Sequence, residues 1–201
     1  MYDFDLYFAK LKEKISDGRY EHSVNVAKAA VKLAKIYGED SEKARVAGLL
    51  HDIAKEMSTE EHLEILKKSN LPFENFAKVS PKVLHGPAGS AYVKENLKIT
   101  DESILGAIRY HTTGRENMTL FEKIIFVADY ISDERDFIDS PEVRKIAETD
   151  INEAVLHKLS TSIKKCVNFR RAIHPDTISA YNQIVWEKGD VIKNDLNRKG
   201  I

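Results

Sequence analysis

The chain has 201 residues, 42% of them hydrophobic and 31% charged, with a formal net charge of -1. That length supports one sizeable core or two small ones, and the charge balance lacks the clustered basic excess of a nucleic-acid binder. The single cysteine, Cys166, excludes an intramolecular disulfide and any multi-cysteine zinc site, and reads as a small apolar filler on a late helix.

Nearly every segment carries helical periodicity. Residues 3–16 place Phe4, Tyr7, Phe8, Leu11 and Ile15 on one face, and Asp17-Gly18 reads as the break. Residues 19–37 follow with Val24, Ala27, Val31 and Ala34, closed by Gly38. Asp40 or Ser41 caps a helix that runs through Gly48-Leu49-Leu50 to His51-Asp52. Ser58 and Glu61 have capping-box spacing and open a helix to about Ser69, stopped by Leu71-Pro72. A less regular stretch to Pro81 precedes a helix over 82–96, bent or restarted at Gly86-Pro87. Thr100-Asp101-Glu102 starts a helix to Tyr110-His111, and Thr112-Thr113-Gly114-Arg115 is a loop. Residues 119–132 are apolar all round, which predicts a central buried helix.

A charged turn over 133–137 follows, and Pro141 suits the first turn of a short helix to about Glu148. Residues 151–169 form a long amphipathic helix carrying Ile151, Ala154, Val155, Leu159, Ile163, Cys166 and Val167. His174-Pro175-Asp176-Thr177 starts a last helix, Ile178 to about Glu187, and the remaining residues look frayed. No strand signal, repeat or low-complexity linker stands out. The expected fold class is all-α, one domain over 1–201, with a motif-bearing core at about 15–135 and a helical extension at about 141–190. The first residues lack a basic-then-apolar leader and no run is long enough to span a bilayer, so a cytoplasmic protein is expected.

Polar residues interrupt this pattern at informative places. Of seven histidines, His22 lies in the first turn of an amphipathic helix, His51 ends another beside Asp52, His85 stands where a helix is interrupted, and His111 ends a fourth. Asp129 intrudes on the most apolar helix. A carboxylate there is costly unless paired or bound to a metal. Alone, Asp129 could pair with a buried cation such as Arg109, cap a neighbouring helix or face solvent. A lone His-Asp pair ending an apolar helix is most often a satisfied boundary pair. Together, His22, His51, Asp52 and Asp129 make a mixed nitrogen and oxygen shell that suits Fe, Mn, Co, Ni or Zn better than Mg or Ca. Adjacent helix residues point about 100° apart. His51 and Asp52 therefore reach one ion lying between their directions, or Asp52 bridges two ions and His85 and His111 hold the second. Two-metal sites recur in phosphorus chemistry because they activate water and clamp an in-line displacement.

His22, His51-Asp52 and Asp129 resemble the ligand pattern of the HD superfamily of metal-dependent phosphohydrolases, and His85 and His111 resemble its two-metal members. The stretches Leu49–Lys55, Leu84–Pro87, Ile108–Gly114 and Glu122–Ile131 are similar to the YqeK family, and His174-Pro175-Asp176-Thr177 is in keeping with it; the resemblance spans roughly residues 15 to 185. It implies an HD-domain helical bundle and a symmetrical dinucleoside tetraphosphatase, cleaving diadenosine tetraphosphate with water to two ADP. It also implies iron, as two ions; composition and spacing alone leave manganese or another divalent transition metal open.

On that resemblance His51, Asp52 and Lys55 carry catalysis, and His22, His51, Asp52 and Asp129 hold the first ion. His85 and His111 either hold the second ion or contact phosphate. Arg19, Lys55, His85, His111, Thr112 and Arg135 contact the nucleotide substrate. Bland alternatives stand beside these roles: Lys55 as an exposed helix-end residue, Arg135 in a surface ion pair, Thr112 and Gly114 in a simple helix-ending turn. His62, among Glu60, Glu61 and Glu64, is expected at the surface, His157 on a helix face, and His174 near the nucleotide. Two rival functions stay open: an HD phosphohydrolase acting on nucleoside monophosphates or cyclic nucleotides, and a non-catalytic metal- or nucleotide-binding sensor. Neither nucleic acid nor membrane is an expected partner, and a homodimer is compatible with the sequence.

Overall fold

The computed structural model describes residues 2–69, 71, 73, 76, 77, 81–135 and 140–189. Among them the α-helices are α1 (Phe4–Lys14), α2 (Asp17–Tyr37), α3 (Ser41–Leu50), α4 (Thr59–Ser69), α5 (His85–Asn96), α6 (Glu102–Tyr110), α7 (Leu120–Ile131), α8 (Ser140–Ala147), α9 (Ile151–Asn168) and α10 (Pro175–Lys188). A 3₁₀ turn at Pro81–Val83 leads into α5. No strand occurs among the described residues, and none of their helices is long and apolar enough to cross a membrane. Most of the irregular stretch before Pro81, part of the charged turn before α8 and the frayed tail lie outside the described residues.

The chain starts and stops its helices with side chains the sequence supplies. Asp40 caps α3 by accepting from Glu42 N and Lys43 N at 2.9 and 3.0 Å. Ser58 and Glu61 close the expected capping box ahead of α4, at 3.2 and 2.7 Å. The first break falls at Ile15-Ser16, not at Asp17-Gly18. The Ser16 N–H and hydroxyl both donate to Glu56, at 2.7 and 2.6 Å, which turns the chain there and leaves Asp17 and Gly18 in the first turn of α2. The last helix also begins earlier than expected: His174 is its N-cap, accepting from Asp176 N at 3.1 Å, and Pro175 takes the first position, where its missing N–H costs nothing.

α7 is the centre of the bundle. Ile124, Ile125, Phe126, Val127 and Ala128 are fully buried, and α2, α3, α6, α8 and α9 pack around the helix. Each large side chain buried there contributes about 1.5–3 kcal/mol, which lets the interior carry costly polar groups. Two glycines set the approach of the helices that bear the histidines. A Cβ on Gly48 of α3 would sit 2.8 Å from Ala27 Cα of α2, and one on Gly86 of α5 would sit 2.7 Å from the Arg109 carbonyl oxygen of α6. On α9 the expected apolar stripe is buried only through Leu159; Val167 is exposed and Cys166 half-buried, because the last turns of the helix lie at the surface.

Candidate metal centre

Four helix ends deliver four imidazoles to one place. His22 comes from the first turns of α2, His51 from the end of α3, His85 from the start of α5 and His111 from the end of α6; all four are buried. Three of them have the same anchor. His51 Nδ1 donates to Gly48 O at 2.8 Å, His85 Nδ1 to Lys82 O at 2.6 Å, and His111 Nδ1 to Ile108 O at 2.7 Å. Each acceptor is the carbonyl three residues upstream. The fourth, His22, donates from Nδ1 to the Glu134 carboxylate. A carbonyl or carboxylate can only accept, so Nδ1 carries a proton in every ring and Nε2 is the atom left to face the interior of the site; burial keeps the His51 and His85 imidazoles neutral, so those two Nε2 atoms present lone pairs.

The Nε2 atoms converge on two carboxylates. Asp129 Oδ1 lies 3.2 Å from His22 Nε2 and 3.7 Å from His51 Nε2. Asp52 Oδ2 lies 3.6 Å from His51 Nε2 and 3.9 Å from His22 Nε2. The other oxygen, Asp52 Oδ1, faces the opposite way, 3.0 Å from His85 Nε2 and 3.3 Å from His111 Nε2. With the His51 and His85 rings neutral, their contacts to these carboxylates join acceptor to acceptor with no proton to share. His51 Nε2 and Asp52 Oδ1 accordingly stand buried with no hydrogen-bond partner, and such groups are destabilising unless a cation meets them. Two ligand sets each fit around a point, His22 with His51 and Asp129, and His51 with Asp52 and His111. The residues present therefore fit divalent metal, and they fit it through nitrogen and oxygen with no thiolate.

Electrostatics keep the donors in their binding form. Burial pushes the His51 imidazole down to about 3 and His85 down to about 4, against the pull of Asp52. Burial alone would raise the Asp129 carboxyl; the Lys158 ammonium, His22 and His51 outweigh it and hold it well below the usual carboxylate range. Neutral imidazoles beside ionised carboxylates are what a cation requires.

A model of the HD domain matches residues 19–133. The chain is 40% identical over 178 residues to a symmetrical bis(5'-nucleosyl)-tetraphosphatase of Halalkalibacterium halodurans, covering 89% of this chain and 95% of the relative. The chain belongs to the HD-domain family, among the symmetrical bis(5'-nucleosyl)-tetraphosphatases. A second protein of that name, from Bacillus subtilis, is 40% identical over 177 residues, covering 88% of this chain and 95% of the relative. A solved structure from Clostridium acetobutylicum, described as a predicted HD superfamily hydrolase involved in NAD metabolism, superposes with a TM-score of 0.89 at 40% identity, covering 93% of this chain and 99% of the other. An HD domain implies a divalent metal, and the His/Asp cluster of this HD protein can bind one.

Cations ring the cluster on its open side. Lys55 Nζ lies 3.0 Å from His85 Nε2 and 3.5 Å from Asp52 Oδ1. Arg19 reaches Asp52 Oδ2 at 3.4 Å, and Arg135 reaches Asp129 Oδ1 at 3.1 Å. All three guanidinium and ammonium groups stay partly exposed, unlike the carboxylate of Asp52. Arg135 thus bonds Asp129 and is no mere surface partner of its charged neighbours. Thr112, beside His111, keeps its hydroxyl oxygen buried and without a hydrogen-bond partner, and Thr113 O accepts from Thr177 of α10 at 2.9 Å. Phe76 stacks on the buried His174, ring centroids 4.3 Å apart.

Three contributors escaped the sequence reading. Lys158 of α9 is buried and donates to Asp129 Oδ2 at 3.0 Å. Glu134 orients His22. Arg144 of α8 holds the turn that carries Glu134 and Arg135, donating to the carbonyls of Ile131, Ser132 and Arg135 at 2.8, 2.9 and 2.9 Å. Lys158 could have been flagged because it interrupts the apolar stripe of Val155 and Leu159. Glu134 sits among acidic neighbours and gives no such signal. One expectation is corrected: His62 is buried, not at the surface, because its Nε2 donates to Ala54 O at 2.6 Å and ties α4 to the turn after His51. His157 is half-buried on its helix, near Tyr130.

Proposed function

We propose that this chain hydrolyses dinucleoside tetraphosphates symmetrically, taking diadenosine tetraphosphate and water to two ADP, at a centre of two divalent transition-metal ions. The observation that carries the reading is the set of four imidazoles anchored through Nδ1, so that every Nε2 turns toward Asp52 or Asp129. Relatives named for this activity, 40% identical over nearly their whole length, support the choice of substrate. The mixed imidazole and carboxylate donors suit iron, with manganese the nearest alternative.

His22, His51, Asp52 and Asp129 would hold one ion. His85 and His111 would hold the other, with Asp52 bridging through its two oxygens. When bound, the ions supply a water activated at neutral pH and a clamp on the phosphate oxygens. The chain's own residues do the rest. Asp52 and His51 fix the centre of the site. Lys55, Arg19 and Arg135 stand beside the cluster, where they would meet the tetraphosphate and stabilise charge that builds as the phosphoanhydride breaks. The Thr112 hydroxyl, unpartnered beside His111, is a donor for a phosphate oxygen. The whole chain acts as one catalytic unit, the helices after α7 completing the surround of the site.

The reading is tested by Asp52→Ala. The variant should lose both metal content and hydrolysis of diadenosine tetraphosphate, with its helical content intact. Full activity and full metal content in that variant would overturn it. A panel of nucleoside monophosphates and cyclic nucleotides separates the rival substrates: release of inorganic phosphate or a ring-opened monophosphate at a higher kcat/KM would replace this reading.

A further inference from the structure

Lys158 is the one polar interruption in the buried face of α9, and it lies beyond residues 19–133 that the HD domain model matches. An ammonium has three N–H donors, and three acceptors meet this one: Phe126 O at 2.6 Å, Asp129 Oδ2 at 3.0 Å and His111 O at 3.2 Å. The Phe126 ring lies 4.0 Å from the same nitrogen. A fully satisfied, buried cation of this kind is held rigidly, because any rotation strands an N–H in the interior. Two of its acceptors are main-chain carbonyls of α7 and of the turn that carries His111, so its position is set by the bundle and not by Asp129.

We propose that Lys158 is a positioning residue of the metal centre: by holding Asp129 Oδ2, it turns Oδ1 alone toward the ion. This rests on the metal reading above. Oδ1 is the oxygen that faces His22 and His51, at 3.2 and 3.7 Å. Arg135 also reaches Oδ1, at 3.1 Å, but a carboxylate oxygen has two lone pairs and serves both partners. The same ammonium fixes the carbonyl of His111, whose imidazole faces Asp52 Oδ1. One side chain from α9 thereby sets the aim of a carboxylate in one ligand set and steadies the end of the helix bearing an imidazole in the other. Charge alone would work the other way, since a cation beside a ligand repels a metal ion. The two effects predict opposite signs.

The test is Mn²⁺ affinity of the full-length, chelator-stripped protein, read from the electron paramagnetic resonance signal of free Mn²⁺, with circular dichroism to count folded protein. Positioning predicts that Lys158→Met binds Mn²⁺ roughly tenfold or more weakly per folded molecule. Equal or tighter binding would overturn the inference and leave Lys158 a structural or purely electrostatic group. A second comparison also removes the buried carboxylate that Lys158→Met alone would strand, and is again read per folded molecule. In Asp129→Asn, Lys158 would hold the amide oxygen and turn the NH2 toward the ion, so binding should be lost. In Asp129→Asn with Lys158→Met the amide is free to turn and the buried ammonium is gone, so part of the binding should return. No recovery would overturn the inference. The wild-type titration is the control for the underlying reading: if the wild-type protein takes up no Mn²⁺ at all, the metal centre itself fails, independently of Lys158.

Discussion

His85 and His111 bring their Nε2 atoms to 3.1 Å of each other, each ring held from behind by the carbonyl three residues upstream. The pair is this close because α5 and α6 approach closely at Gly86. A Cβ there would meet the Arg109 carbonyl oxygen at 2.7 Å, a backbone atom that cannot swing aside. Gly86→Ala should therefore separate the two rings as well as strain the packing. We expect a loss of about 1–3 kcal/mol by urea unfolding, together with weaker metal binding. Unchanged stability and affinity would show that the approach of these helices is not critical.

Glu134 stands behind His22. Its carboxylate accepts the Nδ1 proton of His22 and the Ser132 hydroxyl, the latter at 2.7 Å. Removing such an outer partner lowers metal affinity or activity by roughly 10–100-fold. Glu134→Ala should show this drop in kcat with helical content unchanged, and Glu134→Gln, which keeps an acceptor oxygen, should lie between it and the wild type.

The residues legible in the sequence share one property: each polar side chain broke an apolar periodicity, and although each alone had an ordinary explanation, together they made a ligand set. Asp129 inside α7 and His51-Asp52 after Leu49-Leu50 were visible for that reason, and the helices that carry them followed from the same periodicity. Lys158 breaks α9 in the same way, yet a single lysine on an amphipathic helix is usually read as reaching solvent, and its true acceptors are carbonyls from α7 and the turn after α6. Glu134 lay hidden in a run of charges, and Arg135 was named there only through the resemblance, without its bond to Asp129. Their roles depend on Arg144 pinning the turn from α8, a relation between segments that no local pattern carries. The Nδ1 locks were equally invisible, since they depend on backbone carbonyls present at every position.

Acid should loosen the metal-free protein in a defined window. Burial pushes His51 to about 3 and His85 to about 4, from 6.5. As pH falls below 6.5 the unfolded chain gains protons that the folded chain refuses, so stability drops as pH falls until the folded values are reached. Two imidazoles give a slope of roughly 2–3 kcal/mol per pH unit between about pH 6 and pH 4. Urea unfolding across that range should show it, and His51→Gln should remove about half of the slope. A flat profile would contradict the neutral, buried state of the rings.

Asp101, at the start of α6, offers a test of opposite character, away from the His/Asp cluster. Burial would raise its carboxyl, but bonds from Lys43 and from the Ser103 hydroxyl and N–H bring it down to about 2. The stability it adds is complete above the ordinary value of 3.8 and is lost as pH falls through about 2. Asp101→Asn keeps the helix cap and loses the Lys43 pair, which lies at 2.7 Å and is partly solvent-exposed. After discounting for solvent, the variant should be about 1 kcal/mol less stable at pH 6, with the difference roughly halved at pH 3. A difference that does not change with pH would mean that the charge plays no part.

Symmetrical hydrolysis at a metal centre assembled on Asp52 has two signatures, its products and its dependence on bound metal. The most direct measurement is chromatography of the products formed from diadenosine tetraphosphate by the protein purified and assayed under reducing conditions, with its metal content determined on the same sample. ADP should be the sole nucleotide product, with activity rising in proportion to bound divalent metal. ATP with AMP as products, or undiminished turnover by metal-stripped protein in chelator, would contradict it.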